Sequence, residues 1–294
     1  MPDQDQIEER IEAFAFSKMQ GVGNDFVVID GRDLTHTDWS RVAVGVCPRR
    51  MGIGADGLLV IENSEIADLK MRMFNPDGSP DVCGNGLRCV ARYAFQRGLL
   101  DKTKFAIETL IDVRPAEIHL DLQGKFSAVT VGMNSPQFAP EAIPIDSREN
   151  LRDLPLFLSN DTVLNITPLS TGSTHSVTFV EELPNDKTFF AISPQVEHHP
   201  IFPERTSLMW CKVDSPTRLS IRIWERGAGE TWGCGTGACA AMVAAKLHGL
   251  VAENEPITVA SIGGELVIRW QEGESIQMTG PAKFVFEGVF IFPL

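Results

Sequence analysis

Apolar residues follow two different periods along this chain. In its first third, Phe26-Val27-Val28-Ile29-Asp30 and Leu58-Leu59-Val60-Ile61 are short apolar runs, and Leu69-Lys70-Met71-Arg72-Met73-Phe74 alternates apolar with other residues. Runs and alternations of this length are the signature of strands with at least one buried face. Residues 13–16 read as a strand too, joined to the next by the turn Gly21-Val22-Gly23-Asn24-Asp25, and Asn75-Pro76-Asp77-Gly78 is a strong turn after the alternating strand. The pattern then becomes helical over Val90-Ala91-Arg92-Tyr93-Ala94-Phe95 and stops at Gly98, a plausible C-cap.

The second half repeats this order. Gly23-Asn24 and Gly172-Ser173 are 149 residues apart, and Met71-Arg72-Met73-Phe74-Asn75 stands 150 residues before Ile221-Arg222-Ile223-Trp224-Glu225. Cys83 and Cys234 are separated by 151 residues, as are Gly98 and Gly249. Landmarks at nearly constant spacing indicate two copies of one strand-rich unit, each with a helix. Between them lie residues 136–155, which carry Pro136, Pro140, Pro144 and Pro155 and weak periodicity, the natural crossing from one copy to the next.

Length and composition narrow the functional classes. The 294 residues suffice for two domains, and the 43% apolar fraction fits a globular protein. No apolar run approaches the roughly 18 to 20 residues of a membrane-spanning helix, so no membrane partner is expected. Residues 1–10 are polar and mostly acidic, without the basic start and apolar core of an export signal, and a cytoplasmic setting is expected. A net charge of −13 without a dense basic run argues against nucleic acid. Six cysteines in a chain of this length and setting read as reduced thiols.

Two of those thiols occupy similar places. Cys83-Gly84-Asn85-Gly86-Leu87-Arg88-Cys89 and Cys234-Gly235-Thr236-Gly237-Ala238-Cys239 each open a helical stretch. Unpaired N–H groups and the positive end of a helix dipole stabilise a thiolate and cradle a carboxylate. If an approximate twofold relates the copies, both thiols face one cleft, on either side of a ligand. Inverting a carbon that bears a C–H bond needs such a pair, one base to remove the proton and one acid to return another on the opposite face. A helix start is expected to bring a thiol's pKa from its usual 8.5 or so toward neutrality. Two helix starts aimed at an α-carboxylate would also stabilise the carbanion.

Other candidates sit in equivalent loops. Glu225 and Arg226 follow a strand at the counterpart of Asn75, where the carboxylate could accept an ammonium and the guanidinium grip a carboxylate. His175 falls in the turn that matches Asn24-Asp25 and could orient a thiol or move a proton. Cys89 and Cys239 point into apolar helices and read as core, and the cysteine spacings differ from those of structural zinc, so no metal is expected.

These residues are also where the chain resembles the diaminopimelate epimerase family. The likeness covers nearly the whole chain: Lys18-Met19-Gln20-Gly21-Val22-Gly23-Asn24-Asp25-Phe26, Gly52-Ile53-Gly54-Ala55-Asp56-Gly57, Phe74-Asn75-Pro76-Asp77-Gly78-Ser79, both cysteine motifs, and residues 225–231. The resemblance implies an α/β (α+β) fold of two pseudo-symmetric domains, each a curled, mostly antiparallel sheet around a central helix. The first domain would be 13–137 plus the returning strand 285–294, the second 138–284, and 1–12 a polar tail. It further implies an isomerase that turns LL- into meso-diaminopimelate, for lysine and peptidoglycan synthesis, without pyridoxal phosphate, metal or other cofactor. Cys83 and Cys234 would be base and acid, with Gly84, Asn85, Gly235 and Thr236 on the α-carboxylate. Asn24, Asn75, Glu225 and Arg226 would contact the amino acid substrate, His175 would support catalysis, and a homodimer is a family-level expectation. Two positions depart from the family: the usual Gly-Asn-Pro-His turn is Gly172-Ser173-Thr174-His175, and Ser207 replaces an asparagine. Serine keeps a hydroxyl but loses two amide donors where the substrate's distal end is expected. A racemase of another amino acid, with Trp210 or Trp232 against its side chain, and a non-catalytic thiol switch are the alternatives.

Overall fold

The computed structural model describes residues 11–34, 36–147, 151–159 and 161–293. The repeat read from the sequence is present strand for strand. In the first copy, Ile11–Gly21 pairs antiparallel with Asn24–Asp30, which runs parallel to Gly57–Glu62. That strand pairs antiparallel with Leu69–Phe74, which holds the short Pro80–Asp81 on one side and runs parallel to Lys104–Glu108. Val113–Leu120 and Phe126–Gly132 complete an antiparallel meander. In the second copy Val163–Ser170, Thr174–Phe179, Ser207–Ser215, Arg218–Glu225, Gly229–Thr231, Ile257–Ser261, Gly264–Arg269 and Gln277–Gly280 pair in the same order and the same senses.

Four helices of eight residues or more accompany these strands among the described residues: α1 (Trp39–Val46), α2 (Gly84–Gln96), α3 (Asp186–Glu197) and α4 (Gly235–Leu247). α1 and α3 are the crossovers that make one strand pair in each copy parallel, and each packs a separate apolar layer on the outside of its sheet. Both begin at an N-cap, Asp38 accepting from the Arg41 N–H and Asn185 from the Thr188 N–H. α2 and α4 lie inside the curl of the two sheets, α4 touching strands from both ends of its sheet. Every residue of α4 from Gly237 to Ala245 is buried. A helix buried all round needs small apolar residues on every face, which its alanines supply.

The last strands of the two copies, Phe126–Gly132 and Gln277–Gly280, pair antiparallel with each other. Two equivalent strands paired in this sense are related by a local twofold, and near that axis the Thr130 and Thr279 hydroxyls share a hydrogen bond of 2.6 Å. The core around α2 and α4 is accordingly continuous across the copies. The terminal strand Lys283–Pro293 returns to pair with Ile11–Gly21, from Ile11 opposite Pro293 to Gln20 opposite Lys283.

The crossing is more ordered than its prolines suggest. Residues 140–142 form a 3-10 turn, and Leu154–Phe157 adds a strand antiparallel to Val163–Ser170. Ile143, Ile145, Leu154 and Leu156 alternate with other residues, so one face of the segment packs into the layer beneath α3. Among the described residues no helix is long and apolar enough to cross a membrane.

Candidate active site

A cavity of about 1300 Å³ opens between the first turns of α2 and α4. Cys83 and Cys234 are the N-cap residues, both in extended backbone conformation. Each helix therefore presents its first, unpaired N–H groups to the cavity. Gly84 and Gly235 let the two helix starts approach across Met278. A Cβ on Gly84 would stand 2.9 Å from the Met133 and Met278 methyl groups, and one on Gly235 would stand 3.1 Å from the Met278 sulfur and 3.3 Å from Asn85 Oδ1.

Of the residues singled out in the sequence, Asn24, Asn75, Cys83, Gly84, Asn85, Ser173, Ser207, Glu225, Arg226, Cys234, Gly235 and Thr236 all line this cavity. Cys83 Sγ lies 3.5 Å from Asn24 Oδ1. That oxygen also accepts from Asn85 Nδ2 at 3.2 Å, while Asn24 Nδ2 donates to Asp56 Oδ2 at 2.7 Å. Asp56 is held in turn by Arg49, which also pairs with Asp25. Burial works against charge at Asp25, but Arg49 and the buried Lys18 outweigh it and hold the carboxyl at about 2. The first wall is thus a fixed chain of amides and ion pairs.

The second wall is built on the equivalent strand end. Glu225 takes a short hydrogen bond from the Thr231 hydroxyl and faces Cys234. The Arg226 N–H donates to Ser207 Oγ at 3.1 Å, and Arg226 Nη1 donates to the Glu204 carbonyl at 2.8 Å. Arg49, Arg114 and Arg205, the other guanidinium groups on the cavity, are each paired with carboxylates. Arg226 has no carboxylate partner among the described residues, so its charge is available to a ligand.

Burial outweighs the helix starts at both thiols, contrary to the expectation of acidic cysteines. It pushes Cys83 up to about 11 against the pull of the Gly86 and Asn85 N–H groups. Burial and then the Glu225 carboxylate carry Cys234 well above the usual thiol range, opposed by the Thr236 hydroxyl and the Gly237 N–H, which donates to its sulfur at 3.3 Å. Glu225 is itself raised by burial, with the Thr231 and Cys234 hydrogen bonds opposing. The helix N–H groups do favour thiolate, as expected, but they are outweighed by the loss of water.

His175 does not itself line the cavity: it is fully buried behind Ser173, in the strand Thr174–Phe179. Burial, aided by the charge of Arg226, lowers its pKa to about 3, so it is neutral. Nε2 lies 3.1 Å from Ser173 Oγ, and Nδ1 has no partner among the described residues. An unpaired buried acceptor costs less than an unpaired N–H, which puts the proton on Nε2 and leaves the Ser173 hydroxyl hydrogen free for the cavity. Trp210 is buried with its indole N–H on Ser193 and takes no part, whereas Trp232 is 62% exposed on the cavity wall. Cys89 and Cys239 are fully buried in the core.

Asp56, Arg49, Asn134 and Arg205 are cavity residues to which the sequence reading gave no role. Asp56 carried a signal, the Gly54-Ala55-Asp56-Gly57 turn before a strand, while Asn134 stands in a featureless loop. Among the described residues no three His, Cys, Asp or Glu side chains converge as a metal site requires.

Comparison with known proteins follows this geometry. The profile of a family described as diaminopimelate epimerase matches residues 16–139 and 167–285, two segments whose starts differ by the same 151 residues as the two cysteines. The diaminopimelate epimerase of Acetivibrio thermocellus is 43% identical over 279 residues, covering 93% of this chain and 97% of its own. That of Heliobacterium modesticaldum is 39% identical over 278 residues, covering 93% and 98%. Among solved structures, a PhzF-family phenazine biosynthesis protein of Bacillus anthracis superposes with a TM-score of 0.69 at 19% identity, covering 95% of this chain and 99% of that one. A hydroxyproline epimerase of Agrobacterium vitis superposes with a TM-score of 0.70 at 14% identity, covering 96% and 92%. At these identities the two structures bear on the fold alone.

Proposed function

This chain belongs to the diaminopimelate epimerase family, and we propose that it converts LL-2,6-diaminopimelate to the meso isomer by inverting one α-carbon between Cys83 and Cys234, without a cofactor. The observation that carries this reading is the pair of thiols at two symmetry-related helix starts on opposite walls of one cavity.

In this reading the α-carboxylate lies at the first turns of α2 and α4, on the N–H groups beside Gly84, Asn85, Gly235 and Thr236. Its negative charge grows as the Cα proton leaves, and the same N–H groups then act as an oxyanion hole. Asn24, Asn75 and Glu225 meet the α-ammonium side. One sulfur, as thiolate, takes the Cα proton; the other, as thiol, delivers its own to the opposite face, and the roles exchange in the reverse reaction. The displaced water is replaced by fixed donors, so the negative charge moves between groups already arranged for it. The Arg226 guanidinium, without a carboxylate partner among the described residues, serves the distal carboxylate, and the hydroxyls of Ser173 and Ser207 stand where the family has longer amides.

The division into domains 13–137 plus 285–294 and 138–284 belongs to the same reading, as does a cytoplasmic setting, which the free thiols Cys83 and Cys234 favour. So does a homodimer, supported by the exposed outer face formed by Ala13, Ala15, Val289 and Ile291.

Incubation in deuterium oxide tests the function. With reduced wild-type protein, deuterium should enter diaminopimelate at Cα, and Cys83→Ala or Cys234→Ala should each lower epimerisation by roughly a thousandfold or more, the scale of losing an acid or base. Exchange confined to a different amino acid would replace diaminopimelate as substrate, and no exchange with any amino acid of a broad panel would remove the enzyme reading.

A further inference from the structure

Arg88 has no place in the mechanism above, yet it is the largest fully buried side chain of the molecule's described residues. It stands one turn into α2 and crosses to the second copy, where Nε donates to the Pro281 carbonyl at 3.3 Å and Nη1 meets the Met278 sulfur at 3.5 Å. Nη2 donates to Asn85 Oδ1 at 2.8 Å. Space for the guanidinium is made by two glycines: a Cβ on Gly21 would stand 3.1 Å from Nη2, and one on Gly280 would stand 3.2 Å from Nε. No carboxylate stands by it among the described residues, and the ionisable groups that bear on it are the thiols Cys89, Cys83 and Cys239.

A guanidinium keeps its charge in any protein interior, and a buried cation with no anion is costly. Such a group is kept either because something else supplies its counter-ion or because its hydrogen bonds are needed. Both apply here. With Arg88 on Oδ1, the Asn85 amide can point only Nδ2 at Asn24 and at the Gly233 carbonyl, 3.2 Å from each. Gly233 precedes Cys234, so one amide, fixed in sense by Arg88, ties the Cys83 wall to the Cys234 wall.

We propose that Arg88 is a positioning residue whose missing counter-ion is the carboxylate of the bound substrate, and that it acts from behind the cavity wall by fixing the Asn85 amide between the two helix starts. The inference rests on the epimerase reading only for the identity of that anion. Arg88 does not line the cavity; its guanidinium rests on the side chain of Asn85, a first-turn residue that does line it. An anion there completes the pair that folding left open.

The test needs no turnover. In a Cys234→Ala background, Cys83 is alkylated with iodoacetate, which carries a carboxylate, and with iodoacetamide, which does not, and labelling at Cys83 is followed by peptide mass spectrometry. Iodoacetate should lose roughly tenfold relative to iodoacetamide in Arg88→Gln and Arg88→Met, as expected for removing a nearby charge at low dielectric. Arg88→Lys should keep the ratio. A purely structural arginine would slow both reagents alike. In the otherwise wild-type enzyme, Arg88→Gln should raise KM for diaminopimelate more than it lowers kcat. An unchanged ratio in folded Arg88→Gln or Arg88→Met overturns the proposal. If neither neutral variant folds, a ratio lost in folded Arg88→Lys, with the charge intact, overturns it, and a ratio kept supports it. Failure of wild-type exchange with diaminopimelate would instead strike the function, leaving this measurement readable.

Discussion

His175 and Cys83 illustrate how differently single residues declare themselves. Cys83 was legible because its glycine neighbours and the helix after it define a chemical setting within a few residues. His175 was legible as part of a turn, but its burial is decided by strands distant in sequence: it pairs with Leu169 on one side and with Ser207 on the other. That burial has a measurable sign. The folded protein holds the imidazole neutral down to about 3, whereas the unfolded chain binds a proton near 6.5. The stability His175 contributes is therefore complete above 6.5 and is lost as pH falls towards 3, by a sum on the order of 5 kcal/mol. Urea unfolding of wild type and His175→Phe between pH 7 and 4 checks this: the variant should show the flatter dependence, and parallel curves would mean that the imidazole is not held neutral. Ser173 and Ser207 are the opposite case, conspicuous in sequence yet meaningful only once both are found on the cavity wall.

Among the elements, the hairpin between Ile11–Gly21 and Asn24–Asp30 shows what a turn prediction omits. Its two-residue loop puts Val22 at φ 49° and Gly23 at φ 85°. A β-branched residue resists the left-handed region, so this valine is held by its surroundings. It is buried against the second copy, where its carbonyl oxygen would stand 2.1 Å from a Cβ on Gly233 and 1.8 Å from one on Gly263. Because those atoms are backbone, a methyl group there cannot be accommodated by a side-chain rotation. Gly233→Ala should cost roughly 1 to 3 kcal/mol, as overpacking does, and should displace Cys234, lowering kcat as well as the urea midpoint. A stable variant with wild-type kcat would show that this contact does not hold the second thiol in place. α1 and α3 left no comparable trace: one is only eight residues long, the other carries Pro194 within it, and neither is marked by a cysteine-glycine start. α4 lacks the one-sided apolar stripe by which helices are usually recognised, being buried all round.

At the scale of the whole molecule, the repeat was the most legible feature, because equal spacings survive where side chains have changed. The sequence could not disclose how the copies join, since strand pairing between Phe126–Gly132 and Gln277–Gly280 depends on register and not on composition. Nor could it place the last strand except by likeness to a family. That strand sets Ile11 directly across from Pro293, about 5 Å away in an antiparallel pair. The first and last described residues are therefore neighbours, on one paired edge of the first copy. A circular permutant that joins residue 293 to residue 11 by a short linker and opens within residues 136–155 should fold, melt within about 5 °C of the parent, and retain exchange at Cα; a permutant that does not fold would mean the present order of the copies guides folding. The local twofold that relates the copies also relates the two thiols, so in the proposed mechanism the forward and reverse inversions differ only in which of two equivalent helix starts holds the base.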